Sequence, residues 1–267
     1  MLYRRQKALL YLISVLDGVS YEALQALLFI NYKQTKLAKS YYDFFPYQGR
    51  AFSFTVRNDI EKLTEENLLT KNEQYLYCYD PPKTSEFEGA NEFSELALTY
   101  GSMEFAKLLQ TANSLMPKPH SVADQDEILY TLGYEGRSID AYFNELVKYD
   151  IKVVLDIRAT AFSHKRDFIS ARLKHYSEEV GIDYLWLPEL GIPKKARNQI
   201  VNRTELFDYY ANTILPQKEQ EINEVIDLLM KKKRIVLTCM ESDPNDCHRS
   251  RLTKKIEQLR EVKVVHL

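Results

Sequence analysis

Short apolar segments alternate with longer amphipathic ones from Glu127 to the end of the sequence, and this alternation constrains the fold more than any other feature. The apolar segments have the length and composition of buried strands, whereas the segments between them have helical periodicity. Strands that alternate with helices build parallel sheets covered by helices. The predicted strands are 128–132, 152–157, 184–187, 235–239 and 262–267, and the predicted helices are 138–148, 169–180, 206–215, 219–230 and 247–259. The sequence therefore predicts an α/β domain over 127–267, with a mainly parallel, Rossmann-like sheet flanked by helices.

Composition narrows the possible functions and location. The 267 residues carry a net charge of −2, so contact with nucleic acid must come from local basic patches. The three cysteines are too few for a disulfide framework, which favours a reducing cytoplasm. No segment has about 18 consecutive apolar residues, and the N-terminus lacks a signal-peptide cleavage site, so we expect no membrane contact.

The first part of the sequence, residues 1–80, has a different rhythm: three helical segments and then two short strands. Ser20 and Ser53 are predicted to cap the second and third helices. The strands around Lys71-Asn72-Glu73 would form a small hairpin. This outline, together with the element Phe44-Phe45-Pro46-Tyr47-Gln48-Gly49-Arg50-Ala51-Phe52-Ser53, resembles a widespread bacterial winged-helix arrangement. Winged helices contact either DNA or proteins, and both partners stay open here.

Residues 81–126 separate these two parts. Prolines stand near both ends of the segment, and the apolar residues within it predict one bridging helix over 92–114. We therefore expect a linker with a bridging helix, and a domain boundary near 120–127.

Chemistry-bearing residues follow the predicted strands of the C-terminal domain. The clearest stretch runs from Arg234 to Arg251, where a strand ends on Cys239 and a helix begins near Cys247, His248 and Arg249. The carboxyl ends of parallel strands share one edge of a sheet, which is where α/β proteins bind ligands. We therefore expect one shared site, with catalytic and ligand-binding residues from several strand ends. The expected catalytic residues are Cys239, Arg158, Asp156, Glu241 and Arg249, and the expected ligand-binding residues are Gly133, Tyr134, Ser163, Arg166, Gly191, Cys247 and His248.

Residues 128–267 resemble the domain-of-unknown-function family 488. The resemblance is carried by the segments 131–138, 155–158, 163–166 and 187–191, and by the Cys-x-Glu-x-x-Pro-x-x-Cys-His-Arg element over 239–249. It implies a compact α/β domain with a shared polar site and leaves the reaction open. Members often carry His-Ser-Asn where this chain has Tyr134-Glu135-Gly136, so no histidine role is carried over to these positions.

Cys239 and Cys247 allow three interpretations. In the first, Cys239 is the nucleophile of a thiol-dependent enzyme that acts on a phosphate-bearing substrate, and Arg158, His248 and the helix N-terminus favour its thiolate. In the second, Cys239, Cys247 and His248 bind a zinc or iron ion, with Asp156 or Glu241 as a further ligand. In the third, the cysteines are buried structural residues.

The arginines favour the first interpretation, because guanidinium groups suit phosphates and carboxylates. The sequence thus predicts an Arg/Cys-rich anion site that binds or acts on nucleic acid or a nucleotide, with no metal and no cofactor. Two other classes stay open. One is a non-enzymatic regulatory or protein-binding module that holds an anion and contacts a protein partner or operator DNA through the N-terminal domain, and the other is a metal-binding protein that uses Cys239, Cys247 and His248.

Overall fold

The chain divides into two compact units, Met1–Lys118 and Pro119–Leu267. The structure, a computed structural model, describes residues 1–117, 126–160 and 162–267. The predicted domain boundary near 120–127 lies mostly outside the described residues. None of the described helices is both long enough and apolar enough to cross a membrane.

The first unit begins with two helices, a hairpin, a third helix and a second hairpin. These elements are α1 (Arg4–Val15), α2 (Tyr21–Gln34), β1 (Phe45–Tyr47), β2 (Arg50–Phe52), α3 (Phe54–Glu65), β3 (Thr70–Lys71) and β4 (Leu76–Tyr77). The hydroxyl of Ser20 accepts a hydrogen bond from the backbone of Ala23, and that of Ser53 accepts one from Val56, so both predicted caps are confirmed. The winged-helix assignment stays a prediction.

The single bridging helix predicted over 92–114 is wrong, because the structure has two helices there. They are α4 (Ala90–Tyr100) and α5 (Phe105–Ser114). Helix α4 stops at Gly101, a residue with low helix propensity, and Glu104 begins the next helix. Phe93 and Leu108 from these helices are buried in the core of the first unit.

The second unit alternates strands with helices. Its elements are β5 (Ile128–Gly133), α6 (Ile139–Lys148), β6 (Val153–Asp156), α7 (Ser170–Glu179), β7 (Asp183–Trp186), α8 (Lys194–Gln199), α9 (Arg203–Tyr209), α10 (Glu219–Lys232), β8 (Arg234–Cys239), α11 (Arg249–Leu259) and β9 (Lys263–His266). A π-helical turn, Tyr210–Ile214, extends α9.

The five strands form one sheet in the order β7-β6-β8-β5-β9, and every pair is parallel. The predicted α/β class is confirmed, and the sheet is wholly rather than mainly parallel. The central strands β5, β6 and β8 are buried along their whole length. This explains why they have continuous apolar sequences without alternation.

Helices cover both faces of the sheet. On one face, Leu155 and Leu237 pack in the same core cluster as Val225 of α10 and Leu252 of α11. On the other face, Tyr142 of α6 donates a hydrogen bond to Thr238 of β8 at 3.0 Å, and α7 packs against β7. The sheet therefore separates the carboxyl edge into two environments, which we call the α11 face and the α6 face.

Candidate functional site

The expected site residues do converge on one edge of the sheet, but the strand register places them on opposite faces. Gly133, Asp156 and Cys239 are the last residues of β5, β6 and β8. Asp156 is the register partner of Thr238, whose side chain lies on the α6 face. Because successive side chains of a strand point to opposite faces, Cys239 lies on the α11 face.

Four potential metal ligands converge on the α11 face, and we call them the thiol cluster: Cys239, Glu241, Cys247 and His248. One ligand atom from each residue lies within 4.8 Å of all the others. Both thiols contact Glu241 Oε2, Cys239 Sγ at 3.0 Å and Cys247 Sγ at 3.2 Å. His248 Nδ1 lies 3.7 Å from Cys239 Sγ and 3.8 Å from Cys247 Sγ.

The backbone directly after β6 fixes the orientation of the His248 ring. His248 Nε2 lies 3.1 Å from the carbonyl oxygen of Ile157, and a carbonyl only accepts hydrogen bonds, so Nε2 carries the proton. In the neutral imidazole, Nδ1 therefore presents its lone pair to the two sulfurs. Tyr210 packs edge-on against the ring at 5.4 Å and donates its own hydroxyl proton to the carbonyl oxygen of Leu190. A histidine held in this way at its second nitrogen is the usual arrangement in metal sites.

Three of the four residues of the thiol cluster are buried. Cys239, Cys247 and His248 are at most 2% exposed, whereas the side chain of Glu241 is 18% exposed. Burial opposes ionisation of Glu241, yet hydrogen bonds from Cys239 and Cys247 hold the pKa of its carboxyl below the usual value. The neighbouring Cys239 sulfur, together with burial, raises the pKa of the Cys247 thiol.

Two residues hold the loop after β8 in place. A methyl group on Gly133 would lie 1.8 Å from the backbone oxygen of Glu241, so only glycine lets this loop cross the end of β5. The guanidinium of Arg249 is fully buried and donates hydrogen bonds to the carbonyl oxygens of Glu241 and Ser242. Arg249 therefore anchors the loop, and its described hydrogen bonds are made within the protein.

The α6 face carries a second polar group of residues, the carboxylate–guanidinium network. Asp156 accepts hydrogen bonds from Nε and Nη2 of Arg158 at 2.7 and 2.5 Å, and from the hydroxyl of Tyr184 at 2.6 Å. Arg158 Nη1 also donates to the hydroxyl of Tyr134 and to the carbonyl oxygen of Phe168. Although burial disfavours the charge, these contacts with Asp156 hold the pKa of Arg158 above its ordinary value.

The remaining expected residues have distinct surroundings. Tyr134 is buried and stacks on Phe168 at 4.4 Å. The hydroxyl of Ser163 accepts a hydrogen bond from the backbone of Lys165, and Arg166 is exposed. A methyl group on Gly191 would lie 2.3 Å from the backbone nitrogen of Ala159, so this glycine permits close packing of two loops.

The structure thus brings Cys239, Glu241, Cys247 and His248 together in one cluster. Asp156 and Arg158 belong to the separate network, and their assignment as catalytic residues stays a prediction. Sequence reasoning missed Tyr184 and Tyr210, which complete these two groups. The β6–β7 register, which pairs Tyr184 with Val154, places its side chain on the same face as Asp156; no sequence signal indicated either tyrosine.

This geometry defines the C-terminal unit as an α/β domain with a wholly parallel sheet and polar clusters at the carboxyl edge of that sheet. Residues 138–256 match the family described as Domain of unknown function DUF488. The match contains β6, β7, β8 and all four residues of the thiol cluster, so the predicted resemblance of the C-terminal part of the chain to this family is confirmed. Among curated proteins and among solved structures, none matches the chain.

Proposed function

We propose that the C-terminal unit is a metal-binding domain, in which the thiol cluster holds one zinc ion. The observation that carries this proposal is the convergence of four ligand atoms within 4.8 Å of one another. Two thiols, an imidazole and a carboxylate are the ligand types that zinc takes in proteins. This was the second of the three interpretations of the cysteines, with Glu241 as the further ligand.

The separations between the ligand atoms support a tetrahedral ion. Zinc bonds of about 2.3 Å to sulfur and about 2.0–2.1 Å to nitrogen place tetrahedral sulfur and nitrogen ligands about 3.6 Å apart. The two sulfur-to-nitrogen distances at His248 are 3.7 and 3.8 Å. The two sulfur-to-oxygen distances at Glu241 are 3.0 and 3.2 Å, so this carboxylate has to move outward by about 0.3–0.5 Å. The imidazole nitrogen therefore already stands at the right distance from both sulfurs, and the carboxylate needs a small adjustment.

Rigid supports on both sides of the cluster favour a preformed site. Cys239 ends a buried central strand, and His248 stands at the start of α11. The carbonyl of Ile157 orients the imidazole, and the buried guanidinium of Arg249 holds the backbone at Glu241. Partners of this kind around the ligands tune metal affinity, typically by 10–100-fold.

Metal analysis of single variants tests the proposal. Protein purified without chelators should carry about one zinc per chain. Cys239→Ser, Cys247→Ser and His248→Gln should each lose most of the zinc, because each removes one ligand. Fluorescence of Trp186, the single tryptophan of the chain, reports whether the C-terminal unit of each variant is still folded.

Cys78→Ser is the matched control. Cys78 is also a free, buried cysteine, but it belongs to the core of the first unit. This variant should keep the zinc content of the wild type. Equal zinc content in all the variants, or wild-type protein that takes up no zinc when zinc is supplied, would overturn the proposal.

A second candidate function, binding of single-stranded nucleic acid, is favoured by exposed aromatic rings near the same edge. Phe162 is 64% and Trp186 is 42% exposed, and the exposed Arg166 lies in the loop that contains Phe162. Exposed rings stack on bases, and arginines contact phosphates. Phe162→Ala and Arg166→Ala should each weaken binding of a labelled single strand, and affinity should fall steeply with salt. Lys174→Ala, which removes an exposed charge from α7, is the control.

The proposal also covers the partner of the first unit and the location of the protein. The order of α1, α2, α3 and the hairpin β3–β4 fits a winged helix that contacts DNA or a protein partner. All three cysteines are free, which suits the reducing cytoplasm. Loss of duplex binding by Arg50→Ala in the full chain would assign the DNA contact, whereas unchanged binding would favour a protein partner.

A further inference from the structure

The fourth ligand of the thiol cluster differs from the other three in exposure. Cys239, Cys247 and His248 are closed off from solvent, and Glu241 forms the open side of the cluster. Structural zinc sites are closed by four protein ligands, whereas catalytic sites keep one exchangeable position. Glu241 is also the ligand whose distances fit a tetrahedral ion least well. If one ligand of this centre exchanges, it is Glu241.

A positively charged side chain, that of Arg203, lies beside this open side. Arg203, at the start of α9, has a side chain that is 53% exposed, and its Nη2 lies 3.8 Å from Glu241 Oε1. That distance is too long for a hydrogen bond. The guanidinium is instead fixed by Asp246, through Nε at 2.8 Å to the carboxylate and Nη2 at 2.6 Å to the backbone oxygen. Arg203 Nη1 has no hydrogen-bond partner among the residues that the structure describes.

We infer that the Glu241 side of the centre is a ligand-binding position for an oxyanion, a phosphate or carboxylate group. One oxygen of the ligand replaces Glu241 Oε2 on the metal, and a second oxygen accepts hydrogen bonds from Arg203. A guanidinium next to a metal matches an oxyanion, because its N–H groups are directed at oxygens that the metal does not bind. The inference rests on the proposed zinc centre and gives that centre a ligand class.

Cobalt substitution tests the inference without knowledge of the natural ligand. Tetrahedral cobalt(II) bound to thiolates has intense visible bands that respond to a change of ligand. Inorganic phosphate and sodium acetate are the two probes, and sodium chloride at equal ionic strength is the salt control. Phosphate should change the bands of the wild-type protein saturably; a response to acetate as well would extend the ligand class to carboxylates, and a response to acetate alone would assign it to them.

Three variants separate the parts of the inference. Arg203→Ala should weaken anion binding by about tenfold or more, since it removes charged hydrogen bonds to the ligand. Glu241→Gln should strengthen anion binding, because an amide competes less well for the metal than a carboxylate. Arg251→Ala is the matched control. The guanidinium groups of Arg203 and Arg251 both lie over the Phe207 ring, at 5.8 and 5.1 Å, but Arg251 donates hydrogen bonds to Asn245 and Ser250 and does not lie beside Glu241.

The outcomes distinguish the inference from the proposed function. If bound cobalt shows the bands of thiolate ligation but these bands do not change with either anion, the inference is overturned while the proposed metal centre is retained. Equal weakening by Arg203→Ala and Arg251→Ala would also overturn it. A protein without thiolate-to-metal bands would overturn the metal centre itself.

Discussion

Replacement of Gly133 by alanine should displace the Glu241 loop of the thiol cluster, although Gly133 ends β5, a strand that contributes no ligand. The added methyl group would lie 1.8 Å from the backbone oxygen of Glu241, and real Cβ contacts are essentially never shorter than 3.0 Å. The loop that carries Glu241 must therefore move by at least 1.2 Å, the difference between these two distances. Metal–ligand distances tolerate deviations of only about 0.2 Å.

We expect Gly133→Ala to weaken zinc binding by about 10–100-fold, the effect typical of disturbed support around ligands. The free energy of unfolding should fall by about 1–3 kcal/mol, as for overpacking of a well-packed interior. Competition with a chelating dye measures the zinc affinity, and urea unfolding followed by Trp186 fluorescence measures the stability.

Gly136→Ala is the control for the backbone conformation. Its methyl group would meet nothing within 4 Å, but its φ of +73° is unfavourable for alanine. This variant should lose about 1–2 kcal/mol of stability and keep the zinc affinity of the wild type. If Gly133→Ala binds zinc as tightly as Gly136→Ala does, the loop does not position Glu241 as described.

Three further perturbations test other parts of the structure. Asp156→Asn leaves the buried Arg158 without its carboxylate and should cost about 3–5 kcal/mol in urea unfolding, whereas Glu178→Gln in an exposed pair should cost less than about 1 kcal/mol. Burial opposes ionisation of Asp150, yet hydrogen bonds from Lys152 and Arg234 hold its pKa below the ordinary 3.8. The stability that this carboxylate contributes is therefore complete above about pH 4 and lost at lower pH, so the advantage of wild type over Asp150→Asn in thermal unfolding should disappear on acidification. Removal of zinc by a chelator should lower the urea midpoint of the C-terminal unit, because metal that binds the folded state stabilises it; an unchanged midpoint would contradict this.

Much of the C-terminal fold could be predicted from the sequence. Each predicted strand corresponds to an observed one within a few residues, because continuous apolar segments such as 235–239 have few alternatives to a buried parallel strand. The convergence of Cys239 with Cys247 and His248 followed from a strand end and a helix start only a short loop apart. The first unit was less predictable, because Gly101 divides an apolar pattern that otherwise suits one helix.

The sequence did not show which face of the sheet each side chain occupies. Asp156 and Cys239 both end strands, and only the pairing of Asp156 with Thr238 shows that their side chains lie on opposite faces. The same limit applies to the arginines. Arg158 and Arg249 are suited to anions by type, but in the fold they are buried and bonded to protein groups, whereas Arg203 on α9 lies at the open side of the cluster.

X-ray absorption at the zinc edge tests the central claim most directly, because it reads the atoms bound to the metal. For protein that carries about one zinc per chain, we predict two sulfur ligands at about 2.3 Å and one imidazole nitrogen at about 2.0–2.1 Å, with an oxygen as the fourth ligand. Cys78→Ser should give the same spectrum, and Cys247→Ser should lose one sulfur or the metal. A zinc ion surrounded only by nitrogen and oxygen would contradict the assignment of Cys239 and Cys247 as ligands.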